Sequence, residues 1–184
     1  MISRKTLISM RKSLSEKEYI ERNELIYTNF LNAIDFSGKS VMSYCSFNNE
    51  VDTKKINQDI IKKNGNIILP KSNWDTLGLI PYKISCQKEV ILSKYGIPEP
   101  LEKKENLISK EEIDIVIVPG VIFDKNLFRI GYGKGFYDRF LSGLRPDVLK
   151  VGLAYDFQII NDSHPKEHDI AMDVLICENG FVDL

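Results

Sequence analysis

Ile113 to Val118 (IDIVIV) is an almost continuous apolar run that stops at Pro119-Gly120. Such a run suits a central parallel strand buried on both faces, where polar/apolar alternation is lost. A parallel strand needs a crossover connection, and helical patterns do separate several of the other apolar runs. Ser40 to Phe47 (SVMSYCSF), Asn66 to Leu69, Val148 to Tyr155 (VLKVGLAY) and Val174 to Cys177 (VLIC) read as strands, the last of these closing the set. Arg4 to Arg11 reads as a short helix. Ser15-x-x-Glu18 is a capping box that opens a longer one, with Ile20, Leu25, Ile26, Phe30 and Leu31 as its apolar stripe. Asn48-Asn49 makes a turn, and Asp52 or Thr53 starts a helix that runs through Lys63 and closes at Gly65. Pro70 is expected to end the second strand, and Leu77 to Tyr82 to form a short strand in a hairpin. Glu89 to Tyr95 reads as a weak turn or short helix, Ile97 to Pro100 as irregular, and Lys103 to Glu112 as a surface connection. The pattern predicts one α/β domain: three αβα layers around a mostly parallel, Rossmann-like sheet. Ligands of such sheets sit beyond the carboxyl ends of the strands, so the turns after Phe47, Val118 and Tyr155 are the places to look.

The net charge is -1 over 184 residues, without the basic excess of a general nucleic-acid binder. A small anion held by a few local cations remains compatible with it. Cys45, Cys86 and Cys177 lie far apart with no C-x-x-C pair, so zinc and redox motifs have no support; such thiols suit a reducing, cytoplasmic setting. Met1 to Leu14 is interrupted by four basic residues and has no apolar h-region, and no window approaches about 18 apolar residues. Neither a signal peptide nor a membrane span is expected.

Arg129 to Leu141 (RIGYGKGFYDRFL) carries the chemistry. Three glycines at alternate positions lead into a helical segment, where backbone N–H groups are free and anions are favoured. Arg129 and Lys134 add positive charge, and Asp138 is a candidate ligand for a metal that a nucleotide brings with it. The segment is not a P-loop, because Gly135 rather than Ser or Thr follows Lys134. It is not a dinucleotide fingerprint either, because its spacing is G-x-G-x-G. A loop packed tightly beneath a helix would use the same glycines. Tyr137, Phe140 and Leu141 have the spacing of a helix core. His164 and His168 stand four apart, but Pro165 between them disfavours a helix, and they read as a surface loop.

The same segment is similar to the signature of 5-formyltetrahydrofolate cyclo-ligases, also called 5,10-methenyltetrahydrofolate synthetases, roughly R-[LI]-G-x-G-[GKM]-G-[YF]-Y-D. Ile117 to Asp124 (IVPGVIFD) resembles the family's V-P-G-x-x-F-D, Glu50 to Thr53 its E-[VI]-x-T, Gly96 to Pro100 its G-I-x-E-P, and Asp169 to Gly180 its C-terminal motif. Order and spacing agree over most of the chain. The resemblance implies an ATP- and Mg2+-dependent cyclisation. The formyl oxygen of 5-formyltetrahydrofolate takes the γ-phosphoryl group, N10 attacks the activated carbon, and ADP and phosphate are released as 5,10-methenyltetrahydrofolate forms. Substrates are ATP and the folate, with or without a polyglutamate tail; no nucleic acid or membrane partner is implied, and the protein is expected to be a monomer or weak dimer.

Carried over residue by residue, the resemblance places Gly131, Tyr132, Gly133, Lys134, Gly135, Phe136, Tyr137 and Asp138 around ATP, with Arg129 and Lys134 on the γ-phosphoryl group and Tyr137 as a third catalytic candidate. Arg4 or Lys5 stands in for an N-terminal lysine that the family uses for ATP. Asp138 and Asp173 match the magnesium-linked aspartates. Glu50 matches the substrate-side glutamate, suited to N–H donors of a pterin, and Phe47, Trp74 and Tyr155 are candidate aromatic walls. Phe136 departs from the Tyr-Tyr pair of many members. Structural readings stay open beside these: Asp138 as a helix-terminus charge, Asp173 and Glu50 as turn residues, Tyr137 and Trp74 as packing. Two rival functions also stay open, a non-catalytic folate- or nucleotide-binding module and a relative of sugar-phosphate isomerases or acyl-CoA transferases.

Overall fold

A computed structural model describes residues 3–183. Two helices open the chain. α1 (Arg4–Ser13) starts where Ser3 Oγ accepts from the Thr6 amide, and α2 (Glu16–Ala33) starts at the complete Ser15/Glu18 capping box. The chain then runs through β1 (Val41–Met42), α3 (Lys54–Asn64), β2 (Ile67–Asn73), β3 (Gly78–Ile84), β4 (Val90–Leu92), β5 (Pro98–Pro100), β6 (Ile115–Val118), β7 (Ile122–Asp124), β8 (Arg129–Ile130), α4 (Phe136–Leu141), β9 (Leu149–Leu153), β10 (Ile159–Ile160), β11 (Val174–Cys177) and β12 (Gly180–Asp183).

Seven strands form the main sheet in the order β12-β11-β9-β6-β1-β2-β3. The five inner strands pair in parallel, and β12 and β3 close the edges antiparallel. The apolar run becomes β6 at the centre, as expected. Its side chains alternate between faces: Ile115 and Ile117 meet Ile26 and Phe30 of α2 and Ile56 and Ile60 of α3, while Val116 and Val118 meet Phe140 and Leu141 of α4 and Phe123 of β7. The second face is thus covered by one short helix and by a small sheet, β10-β7-β8, that no periodicity in the sequence announces. α1 packs on that small sheet through Leu7, Val121 and Ile122.

Several local expectations give way to tertiary contacts. The strand expected over Ser40 to Phe47 shrinks to Val41–Met42, because the Tyr44 carbonyl accepts from Thr53 Oγ1 (2.5 Å) and Asn57 Nδ2 (2.9 Å) instead of a strand partner. Thr53, thus engaged, makes no side-chain cap for α3. Pro70 does not end β2. It lies opposite Pro81, a non-hydrogen-bonded position where neither residue needs an amide, and β1 is too short to need one on the other side. Val90–Leu92 and Pro98–Pro100 pair as a two-stranded ribbon in place of a weak turn and an irregular stretch. Val174–Cys177 is followed by one more strand rather than being the last.

Candidate active site

A cleft of about 1390 Å³ lies at the carboxyl ends of β1 and β6. Tyr44, Cys45, Phe47, Asn48, Glu50, Pro119 and Gly120 line it, facing the glycine loop that joins β8 to α4; Trp74 of the β2–β3 turn, Glu99 of β5 and most residues between Ser163 and Ile170 supply further wall. Drug-sized ligand sites typically occupy about 300–1,000 Å³, so this cleft has room for more than one such molecule.

The glycine loop is a cradle for guanidinium groups. A Cβ placed on Gly131 would come within 3.3 Å of Arg129 Nη1, one on Gly133 within 2.5 Å of Arg4 Nη1, and one on Gly135 within 2.9 Å of Arg139 Nη1. Each alternate glycine therefore leaves space for one arginine against the backbone. Gly133 (φ +90°) and Gly135 (φ +68°) also hold left-handed backbone that side chains resist. Arg4 Nη1 donates to the Gly131 carbonyl (3.5 Å), and Arg139 donates to the carbonyls of Leu77 (2.9 Å) and Lys134. Lys134 lines the cleft beside them, exposed. α4 is only six residues long, so positive charge at this loop comes from side chains more than from a helix axis.

Arg129 is buried at the base of the loop. Its Nη2 meets Asp138 Oδ1 at 2.9 Å, its guanidinium carbon lies 5.5 Å from the Tyr137 ring centroid, and its Nε is buried without a partner among the described residues. Burial lowers the arginine's pKa and the Asp138 charge opposes it. Tyr137 both lines the cleft and packs on the core beneath the loop, which joins its two sequence readings; burial, then the Glu50 charge, push its hydroxyl well above the ordinary tyrosine range.

Across the cleft stands Glu50, only 3% exposed. Asn48 and Asn49, at φ +51° and +53°, turn the chain, and the Glu50 amide closes the turn on the Phe47 carbonyl (3.1 Å). One carboxylate oxygen accepts from the Phe47 amide (3.3 Å), the other from the Tyr132 hydroxyl (3.1 Å). Arg11, fully buried on α1, donates to that same hydroxyl at 2.6 Å. Burial lifts the Glu50 pKa to about 7 against the pull of Arg11, the Phe47 amide and Tyr132. Burial and the Glu50 charge also push Tyr132 to about 12.

The aromatic residues separate. Phe47 packs against Tyr132 (ring centroids 5.7 Å), and Trp74 stands edge-on to Phe136 (5.2 Å) with Tyr95 behind it (4.1 Å); Phe47, Trp74, Tyr132 and Phe136 all line the cleft. Phe136 thus meets Trp74 as one ring of a T-shaped pair, without the hydroxyl a tyrosine would add.

Three residues expected in the site lie elsewhere. Tyr155 is fully buried and does not line the cleft; its hydroxyl donates to the Glu50 carbonyl (3.2 Å) and accepts from Asn23 (3.0 Å), so it supports the Glu50 turn from the core. Asp173 is not brought to Asp138. It accepts from the Lys150 amide and pairs with Lys150 Nζ, both at 2.7 Å, away from the cleft walls. Lys5 is exposed outside the cleft, whereas Arg4 lines it. His164 and His168 sit on the surface, as expected, but at the cleft rim. Two arginines of the site, Arg11 and Arg139, escape the sequence reading. Arg139 falls one turn past Gly135 within the motif, a signal that could have found it; Arg11 looks in sequence like any basic residue of a solvated helix.

The profile of the 5-formyltetrahydrofolate cyclo-ligase family matches residues 2–178. The chain belongs to this family. A 5-formyltetrahydrofolate cyclo-ligase of Haemophilus influenzae is 30% identical over 172 residues, covering 91% of each chain. The solution structure of Aquifex aeolicus 5,10-methenyltetrahydrofolate synthetase superposes with a TM-score of 0.84 at 33% identity, covering 98% of this chain and 90% of that one. A 5,10-methenyltetrahydrofolate synthetase from Mycoplasma pneumoniae gives 0.77 at 25% identity, covering 95% and 96%. The match spans the whole fold, so the rivals from other enzyme families fall away, and the chain is an enzyme of the cyclo-ligase family. No helix among the described residues is long and apolar enough to cross a membrane.

Proposed function

We propose that the cleft holds ATP on the glycine loop and 5-formyltetrahydrofolate against Glu50, and that it closes the folate ring to 5,10-methenyltetrahydrofolate at the expense of ATP. The observation that carries this reading is the junction at Tyr132: a cation-lined loop and a buried carboxylate face one cleft and are joined through a single hydroxyl. A phosphate chain needs the first and an N–H-rich heterocycle the second.

In this reading the formyl oxygen forms a bond to the γ-phosphorus as the bond to the β-γ bridging oxygen breaks, and ADP departs. N10 then attacks the formyl carbon and loses its proton, and the carbon–oxygen bond breaks with phosphate as the leaving group. The protein supplies position and charge rather than a nucleophile. Arg4, Arg129, Lys134 and Arg139 neutralise the polyphosphate, and the free Nε of Arg129 is a donor still available at the base of the loop. Phe47, Trp74 and Phe136 offer apolar walls, and the Glu50 carboxylate accepts from ring and amino N–H groups of the pterin.

Asp138 lines the cleft with one oxygen on Arg129, leaving the other for a nucleotide-borne Mg2+, an ion that needs few protein carboxylates and shields phosphate charge when bound. Asp173 does not fit that role, being held by Lys150. Mixing the folded protein with ATP, Mg2+ and 5-formyltetrahydrofolate should produce the absorbance of the methenyl product. Its absence would overturn the reading.

A further inference from the structure

We propose that Tyr132 is a positioning residue that couples the two halves of the cleft, so that nucleotide on the glycine loop tightens the grip on the pterin and the pterin tightens nucleotide by the same factor. This rests on the two-substrate reading above.

The direction of each hydrogen bond carries the idea. An arginine only donates. Arg11 Nη2 therefore gives a proton to the Tyr132 oxygen at 2.6 Å, and the tyrosine's single hydroxyl proton is left to go to Glu50 Oε1 at 3.1 Å. The other carboxylate oxygen already accepts from the Phe47 amide, and the Tyr132 ring packs against Phe47 itself at 5.7 Å. Tyr132 thus touches both supports of Glu50, one through its hydroxyl and one through its ring. Asn49, next to Glu50, donates to the Arg11 carbonyl at 3.1 Å, closing a circuit from α1 through the loop to the carboxylate and back.

The backbone of Tyr132 belongs to the other half. It lies between Gly131 and Gly133, the two glycines on which Arg129 and Arg4 rest. Phosphates that fix this loop also fix where the Tyr132 hydroxyl stands, and hence the carboxylate it holds. The residue is 44% exposed, so it is not serving as core filling. Arg11, in contrast, is fully buried, an anchor on the far side of the hydroxyl. The arrangement is a linkage between sites, and linkage is reciprocal.

Calorimetric titration of 5-formyltetrahydrofolate with and without the non-hydrolysable imido analogue of ATP and Mg2+ reads the coupling directly. The wild type should bind the folate about 5-fold or more tightly with the analogue present, and the analogue should gain the same factor from the folate. Tyr132→Phe keeps the ring and removes the hydroxyl. It should bring both factors close to 1 while its melting temperature stays within a few degrees of wild type. In a Glu50→Gln background the Tyr132→Phe change should lower the coupling no further, because the hydroxyl acts through that carboxylate. A wild-type factor of 1, or a factor that survives in Tyr132→Phe, would overturn the proposal while leaving the two-substrate reading intact. If the folded wild type bound neither ligand, both would fall.

Discussion

The glycine loop and the β1–α3 turn face each other across one cleft and are built in opposite ways. On the loop, charge is concentrated and mostly exposed: Arg4, Lys134 and Arg139 face solvent, and Arg129 is buried at its base. On the turn, one charge is buried, with a donor on each oxygen. The first arrangement recognises a polyanion by charge, tolerates small displacements and weakens with salt. The second recognises donors by geometry, and it holds a carboxylate in a place that raises the cost of its charge. Recognition by charge and recognition by fit thus sit on separate elements, with Tyr132 as their contact.

Breaking the loop should have the largest effect. Gly133→Ala would place a side chain on backbone at φ +90°, which resists one, and its Cβ would push the Arg4 guanidinium, 2.5 Å away, off the loop. It is expected to lower kcat/KM for ATP by at least about 100-fold, with KM for the folate much less changed. Lys134→Ala should lower kcat roughly 30-fold, the ~2 kcal/mol of one charge-assisted hydrogen bond, with no loss of thermal stability because the side chain is exposed. An unchanged rate would remove Lys134 from the phosphate cradle.

On the other side the expected changes are smaller and differ in kind. Glu50→Gln should raise KM for 5-formyltetrahydrofolate roughly 10-fold, about 1.4 kcal/mol, and raise KM for ATP by less, about the 5-fold of the lost coupling. It also has a pH signature. With its pKa near 7 when folded against 4.5 as the reference, Glu50 binds more proton in the folded state between those values, so stability falls as pH rises through that window. The full penalty, about 3 kcal/mol, is present only above pH 7. Chemical denaturation at pH 5 and pH 8 should therefore show Glu50→Gln gaining on wild type at the higher pH; a difference independent of pH would contradict a buried, penalised carboxylate. Smallest of all, Tyr155→Phe should cost about 1 kcal/mol of stability and leave both KM values within about 2-fold, because its hydroxyl supports the Glu50 turn from the core. A large rise in KM for the folate would return Tyr155 to the cleft wall.

Much of the frame is legible in the amino-acid sequence. The β6 run, the Ser15 capping box, the Asn48-Asn49 turn and the Gly65 helix end depend on residues within a few positions of one another, where periodicity and backbone preference dominate. Strand ends are less legible. Whether β1 continues past Met42 is decided by Thr53 and Asn57, which draw the Tyr44 carbonyl away, and whether Pro70 ends β2 is decided by the proline opposite it. The small β10-β7-β8 sheet has strands of only two or three residues, too short to leave a pattern. In the site, the glycine motif stands out by type and spacing, and Glu50 only by its resemblance to the family's substrate-side glutamate. Tyr155, read as an aromatic wall, and Asp173, matched to a family aspartate, do not line the cleft, because a residue's type does not say which face of the sheet or which end of a strand it serves.

By itself, then, the sequence determined the parallel α/β frame and the loop that carries positive charge, since each follows from local periodicity or from residue chemistry at close spacing; Glu50 is singled out only by the family resemblance. Only the tertiary structure decided that Arg4 rests on Gly133, that Arg11 reaches Tyr132, and that Tyr132 reaches Glu50, pairs separated by 121 and 82 residues in the last two cases. Such pairings exist because the path of the chain removes these groups from water together, and burial strengthens each hydrogen bond while raising the cost of leaving one unmade.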